Sequence, residues 1–301
     1  MTSADDLPML ASVYFDTAPG IRLHAKVCGP VGAPVLLFVH GFPEFWYGWR
    51  AQLAEFGQDY RCVAIDLRGF NLSSQPLALH DYRVAKLLAD LRAVIAALGA
   101  PVHAVVAHDW GGALAWSLAA QSPELMCKFA ILNAPHTPAF AHALAHDPEQ
   151  IAASQYMNFL RSPGSEAVLA QNQFQYLCEF ADLQSAEEKA IYRACWSHGL
   201  TGGCNLYRAS PLHPDEAGVA DASGGIAALA AQLKPEDFAV RVPTQVIWGD
   251  ADTALRPVLL QGLQAHVPDL RIHWVQGASH WLARTHAGEV NRVLRQFLGE
   301  A

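Results

Sequence analysis

Short apolar runs without polar alternation recur along this chain, and helical segments separate them. Residues 34–39 read PVLLFV, 61–66 RCVAID and 102–108 VHAVVAH. The pattern returns at 129–133, 244–248 and 271–275. A strand that is apolar on both faces must be covered on both faces, so these runs predict a mostly parallel central sheet flanked by helices, an α/β class. Residues 82–98 set Leu87, Leu91, Val94, Ile95 and Leu98 at helical spacing, and 289–298 read as a closing helix. Residues 13–16 and 21–28 are more amphipathic and predict an antiparallel hairpin at the sheet edge. The middle of the chain differs. It is rich in Ala, Gln, Glu and aromatics, holds no convincing central strand, and has Gly-rich joints at 199–203 and 224–225. We expect a core built from 1–136 and 235–301, with 137–234 inserted as a helical lid, or cap. The sheet needs residues from both ends, so the lid belongs to one domain.

Composition narrows the function classes. With 52% hydrophobic and 16% charged residues in 301, the chain can bury a substantial core. Its net charge of −8 and its lack of a Lys/Arg run exclude nucleic acid as an expected partner. No run of 18 apolar residues suits a membrane span, and MTSADDLPML does not read as a signal peptide. The six cysteines form no CxxC pair and read as buried small hydrophobes in a reducing compartment, so a cytoplasmic location is expected. His136, His142 and His146 lack an HExxH pattern or a carboxylate pair, and no metal or organic cofactor is expected. His136 reads as part of the loop entering the lid.

The run at 102–108 leads into Asp109-Trp110-Gly111-Gly112 and then a helix-like segment, 113–121. Strand, tight turn and helix are the layout of a nucleophile elbow, with Asp109 where serine often stands. A carboxylate there can attack carbon and form an ester. Asp109 could also be a plain helix N-cap. Three further segments argue against that. His40-Gly41-Phe42-Pro43 follows the strand at 35–39, and the Phe42 and Trp110 N–H groups would form an oxyanion hole. Trp248-Gly249-Asp250-Ala251-Asp252 and Gly277-Ala278-Ser279-His280-Trp281 follow the late strands. Nucleophile, acid, histidine is the chain order such a fold requires. His280 is then the base and Asp252 its partner. Asp252 is chosen over Asp250 because it lies further into the loop, while Asp250 would bind loop backbone. Trp110, Phe42 and Trp46 are expected to wall the substrate pocket.

HGFPEFWYGWR (40–50), DLRGFNLSSQP (66–76), HDWGG (108–112), LNAPH (132–136), GDAD (249–252) and SHW (279–281) resemble the epoxide hydrolase family of the α/β-hydrolase fold. EVNRVLRQFL (289–298) does too. In the lid, YMNFLRSPG (156–164) and NLYR (205–208) resemble the family segments that hold two ring-opening tyrosines. The resemblance makes these Tyr156 and Tyr207, and implies conversion of an epoxide and water to a vicinal diol. Phe70-Asn71 stands where many relatives have Tyr-Gly; Asn tolerates the left-handed backbone, so no functional change is read there. The substrate is expected to be a small, apolar epoxide, with water as co-substrate. The sequence leaves a homodimer open.

A haloalkane or haloacetate dehalogenase would use the same aspartate. Haloacetate enzymes place arginines where Trp110 and Ala113 stand, and many haloalkane enzymes place Asn where Phe42 stands. Some relatives carry the acid after the strand ending near 132, where this chain has Asn133. A serine esterase lacks its nucleophile here. A non-enzymatic binding protein of this fold would have no use for the full set of Asp109, Asp252, His280, Tyr156 and Tyr207.

Overall fold

The computed structural model describes residues 9–216 and 224–299. Eight strands form one sheet in the order β1-β2-β4-β3-β5-β6-β7-β8. They are β1 (Ala11–Ala18), β2 (Ile21–Cys28), β3 (Val35–Val39), β4 (Arg61–Ile65), β5 (Val102–His108), β6 (Met126–Leu132), β7 (Thr244–Gly249) and β8 (Leu270–Val275). β1 and β2 pair antiparallel, as does β2 with β4, and every other pairing is parallel. The mostly parallel sheet with an antiparallel edge hairpin is as expected.

Alternate residues of each inner strand feed two cores. Leu37, Val39, Val105 and Ala107 face one side, and Leu36, Phe38, Ala104 and Val106 face the other. The first side is covered by α2 (Val84–Leu98) and α3 (Asp109–Gln121), through Leu87, Leu91, Leu114 and Leu118. The second is covered by α1 (Arg50–Phe56) and the C-terminal α13 (Ala287–Gly299), through Leu53, Phe56, Leu294 and Phe297. Each such side chain, fully buried, contributes about 1.5–3 kcal/mol, which explains why these runs are apolar throughout.

The described residues between β6 and β7 are mostly helical. They hold α4 (Thr137–His146), α5 (Pro148–Ala153), α6 (Tyr156–Arg161), α7 (Ser165–Leu169), α8 (Gln171–Phe180), α9 (Ala186–Trp196), α10 (Thr201–Ala209) and α11 (Gly225–Gln232). A four-residue helix, α12 (Leu282–Thr285), precedes α13. No helix among the described residues is long and apolar enough to cross a membrane.

Three readings need correction. Gly202 and Gly203 are not joints: they lie inside α10. A Cβ on Gly202 would sit 2.3 Å from the Gly69 Cα, and one on Gly203 would sit 2.6 Å from the Phe42 ring. Their smallness lets the cap helix rest on core backbone. Gly202→Ala should therefore lower stability by about 1–3 kcal/mol, the usual cost of overpacking, while Gly288→Ala, which meets nothing within 4 Å, should be close to neutral in the same thermal melts. Cys127 is exposed, whereas the other five cysteines are buried as expected. The third helix begins at Asp109 rather than 113.

Candidate active site

Asp109 is the first residue of α3, directly after β5, and takes φ +51°. A left-handed backbone at a non-glycine residue is uncommon and signals a demanded geometry. The neighbours make room for it. A Cβ on Gly41 would lie 2.0 Å from Asp109 Oδ1, and one on Gly111 would lie 2.4 Å from the carbonyl oxygens of Val39 and His40. Gly111 thus admits the backbone at the end of β3, and Gly112 is the residue that packs on the β6 side, against Ala134.

Phe42 N–H donates to Asp109 Oδ1 at 2.6 Å. His280 Nε2 lies 3.6 Å from Asp109 Oδ2, an ion-pair distance too long for a hydrogen bond. On its other side His280 Nδ1 meets Asp252 Oδ2 at 2.7 Å. Asp252 is fixed from all sides: Oδ1 accepts the N–H groups of Ala254 and Leu255, each at 2.9 Å, and Oδ2 accepts Asn133 Nδ2 at 2.5 Å. Asp250 instead accepts the Gly277 N–H at 2.6 Å, the loop-backbone bond expected of it.

The cap supplies the opposite wall. Tyr156 begins α6 and Tyr207 lies in α10; their ring centres are 6.2 Å apart. Tyr207 is wedged edge-on between Phe42, at 5.6 Å, and Trp110, at 5.1 Å. Asp109, Trp110, Tyr156 and Tyr207 share one cavity, whose walls include Phe140, Met157, Leu212 and Leu255. Trp46 is not among the lining residues. Its backbone N–H is bound to Asp66 at 2.9 Å, and the Lys26 ammonium lies 5.5 Å from its ring. The Phe42 ring likewise packs on Tyr207 and does not line the cavity.

Burial on its own would lower the His280 pKa. The Asp252 and Asp109 carboxylates outweigh it and push the imidazole up to about 10. Burial would raise the two carboxyls; the same imidazole holds both below the ordinary range, helped at Asp109 by the Trp110 N–H and at Asp252 by the Leu255 N–H. Both phenols are raised by burial. The Asp109 charge raises them further, so they stay neutral at pH 7.

Comparison with known proteins identifies the family. Residues 34–287 match the α/β hydrolase fold family. The chain is 34% identical to epoxide hydrolase 3 of Xenopus tropicalis, over 93% of this chain and 76% of that one. It belongs to the epoxide hydrolase family of the α/β-hydrolase fold. It is also 30% identical to human epoxide hydrolase 4, over 93% of this hydrolase and 76% of that protein. The crystal structure of a mutant Bacillus megaterium epoxide hydrolase, complexed with its diol product, superposes with a TM-score of 0.83. That likeness has 28% identity and covers 96% of this hydrolase and all of that chain.

One residue of the hydrolase was missed as a contributor. In the sequence Asn133 is only a neutral position. It takes φ +37° just after β6, donates to Asp252 and accepts the Gly249 N–H at 2.8 Å. An asparagine ending a buried strand, where a left-handed turn is needed, was the available signal. Asn133→Ala orphans the buried Gly249 N–H and removes one of the donors to Asp252. It should cost about 1–3 kcal/mol, seen as a fall in melting temperature of roughly 2–4 °C per kcal/mol.

Proposed function

We propose that this epoxide hydrolase opens an uncharged, mostly apolar epoxide through an ester on Asp109 and then hydrolyses that ester to the vicinal diol. The observation that carries the reading is the pair of cap phenols across one cavity from a buried, ionised carboxylate. Asp109 Oδ1 is held by the Phe42 N–H, which leaves Oδ2 to attack the ring carbon. The ring C–O bond breaks as the new C–O bond forms. The departing oxygen takes a proton from Tyr156 or Tyr207. An ester now stands where the carboxylate was, and the charge that helped raise the His280 pKa is gone. His280 falls toward the range in which it is a neutral base, and the proton it gives up returns to the tyrosinate left by ring opening. The imidazole removes a proton from water, the hydroxide adds to the ester carbon, and the Phe42 and Trp110 N–H groups receive the oxyanion on Oδ1. Collapse releases the diol and restores Asp109. No step calls on a metal or organic cofactor.

A halide leaving group needs no proton, so two phenols facing the nucleophile favour an epoxide over a haloalkane. Trp110 and Ala113 supply no guanidinium to hold a haloacetate carboxylate. The hydrolase should release diol from a panel of terminal and internal epoxides and no halide from matched haloalkanes. Halide release at rates comparable to diol formation would sink this assignment. Free thiols at all six cysteines support a reducing, cytoplasmic setting.

A further inference from the structure

Behind His280, away from the substrate cavity, the structure buries an ion cluster that the chemistry above does not use. Arg284 lies on α12, four residues beyond His280, with its side chain 5% exposed. Its Nε donates to Glu44 Oε1 at 3.0 Å, one terminal nitrogen donates to Glu188 Oε1 at 3.2 Å, and the other donates to the Ala181 carbonyl. The guanidinium carbon sits 5.7 Å from the centre of the Tyr192 ring. The Tyr192 hydroxyl in turn donates to Glu44 Oε2. Tyr192 is fully buried and Glu44 is 4% exposed.

These contacts join three segments that must agree for the ester to be hydrolysed. Glu44 is two residues beyond Phe42, whose N–H receives the oxyanion. Arg284 follows the base His280 by about one helical turn. Ala181, Glu188 and Tyr192 belong to the cap. Two indoles repeat the stitching: Trp196 of the cap donates to the Pro43 carbonyl at 2.8 Å, and Trp281 donates to the cap's Phe180 carbonyl at 2.9 Å. Taking a carboxylate and a guanidinium out of water carries a penalty of several kcal/mol per ion, and an apolar contact of the same shape is often as stable. A buried pair at this junction is therefore better explained by the geometry it imposes than by stability.

We propose that Arg284 is a positioning residue, forming with Glu44 and Tyr192 a latch that braces the Phe42 loop and α12 against the cap and so aligns the Phe42 N–H and the His280 imidazole for ester hydrolysis. The inference rests on the ester mechanism above. Misplacing reacting groups by about 1 Å can cost up to ~10²-fold in rate. With the latch opened, hydrolysis should slow roughly tenfold or more, while attack by Asp109, guided by the cap tyrosines, changes less. Ester then accumulates, and kcat and KM fall together.

The test is single-turnover kinetics of the full-length chain on an epoxide that the parent turns over, with quenched samples read by intact mass for the Asp109 adduct. Arg284→Gln should form the adduct at close to the parent rate and hydrolyse it at least about tenfold more slowly. Tyr192→Phe keeps the ring and removes only the hydroxyl bond to Glu44; it should show a smaller slowing of the same step, and it carries the test if Arg284→Gln does not fold. Partial recovery in Arg284→Lys would support a positional role. A folded variant with a lower melting temperature but both half-reactions at parent rates would overturn the latch, as would equal slowing of both. The ester mechanism fails separately, if no adduct ever forms in a variant that lacks the base.

Discussion

Mixed with an epoxide, the His280→Gln variant should gain the mass of one substrate molecule and keep it. Asp109 needs no base to attack, and without the imidazole its carboxylate still keeps the Phe42 N–H bond at 2.6 Å and the Trp110 N–H that favour its ionised form. Release does need one. General-base assistance is worth ~10²–10⁴-fold, so ester hydrolysis should slow by at least the lower figure. Peptide mapping should place the adduct on Asp109. Normal turnover, or binding of substrate without mass gain, would contradict the division of labour between these residues. A pH profile of the parent enzyme checks the same point. In the free enzyme the two flanking carboxylates keep His280 protonated up to about pH 10. In the ester one of those charges is absent, so the imidazole loses its proton at lower pH. Single-turnover ester hydrolysis should therefore rise with pH through an inflection well below 10 and then level off. An inflection near 10 would mean that the Asp109 charge has no part in setting the base.

What could be read from the sequence follows from the range of the interactions involved. Asp109, Asp252 and His280 each stand just past an apolar run, and in a parallel sheet the ends of strands meet at one edge. Strand order and local pattern were enough to bring them together. The hairpin at the edge was legible for the same reason, since its alternation lies within each strand. Residues whose role depends on a distant partner were not. Gly202 looks like a hinge until Gly69 is placed against it, 133 positions away in the chain and 2.3 Å from where a Cβ would sit. Trp46 lies only a few residues from Phe42, yet its ring turns toward Lys26. The cavity wall is assembled from Phe140, Met157, Leu212 and Leu255, which share no local motif because each only has to be apolar. Asn71 was read as harmless in a left-handed turn and does take φ +46°, but it also donates to the buried Asp66 at 2.7 Å, a bond that spacing alone does not reveal.

Removing both cap hydroxyls should slow epoxide opening by at least ~10²-fold, the lower bound for general-acid assistance. The Tyr156→Phe, Tyr207→Phe double variant keeps both rings, so the ring at 207 still packs edge-on against Phe42 and Trp110 and the cavity keeps its shape. What is lost is the proton for the departing oxygen. Without it the charge that leaves Asp109 must rest on an alkoxide in an apolar pocket, where an unpaired charge is strongly disfavoured. Burial and the Asp109 charge both raise the phenol pKa values. The neutral phenols therefore stay protonated until ring opening makes a base strong enough to take their proton. Each single variant should be milder, because the rings are 6.2 Å apart and face the same space, so the remaining hydroxyl can still donate. Ester hydrolysis, carried by His280 on the other side of Asp109, should change less than opening in all three variants. Single-turnover measurements of adduct formation and decay separate the two steps. If the double variant opens the epoxide at the parent rate, the tyrosines are packing residues of the cap. Asp109 would then be attacking a substrate whose leaving group needs no proton, which is the dehalogenase chemistry.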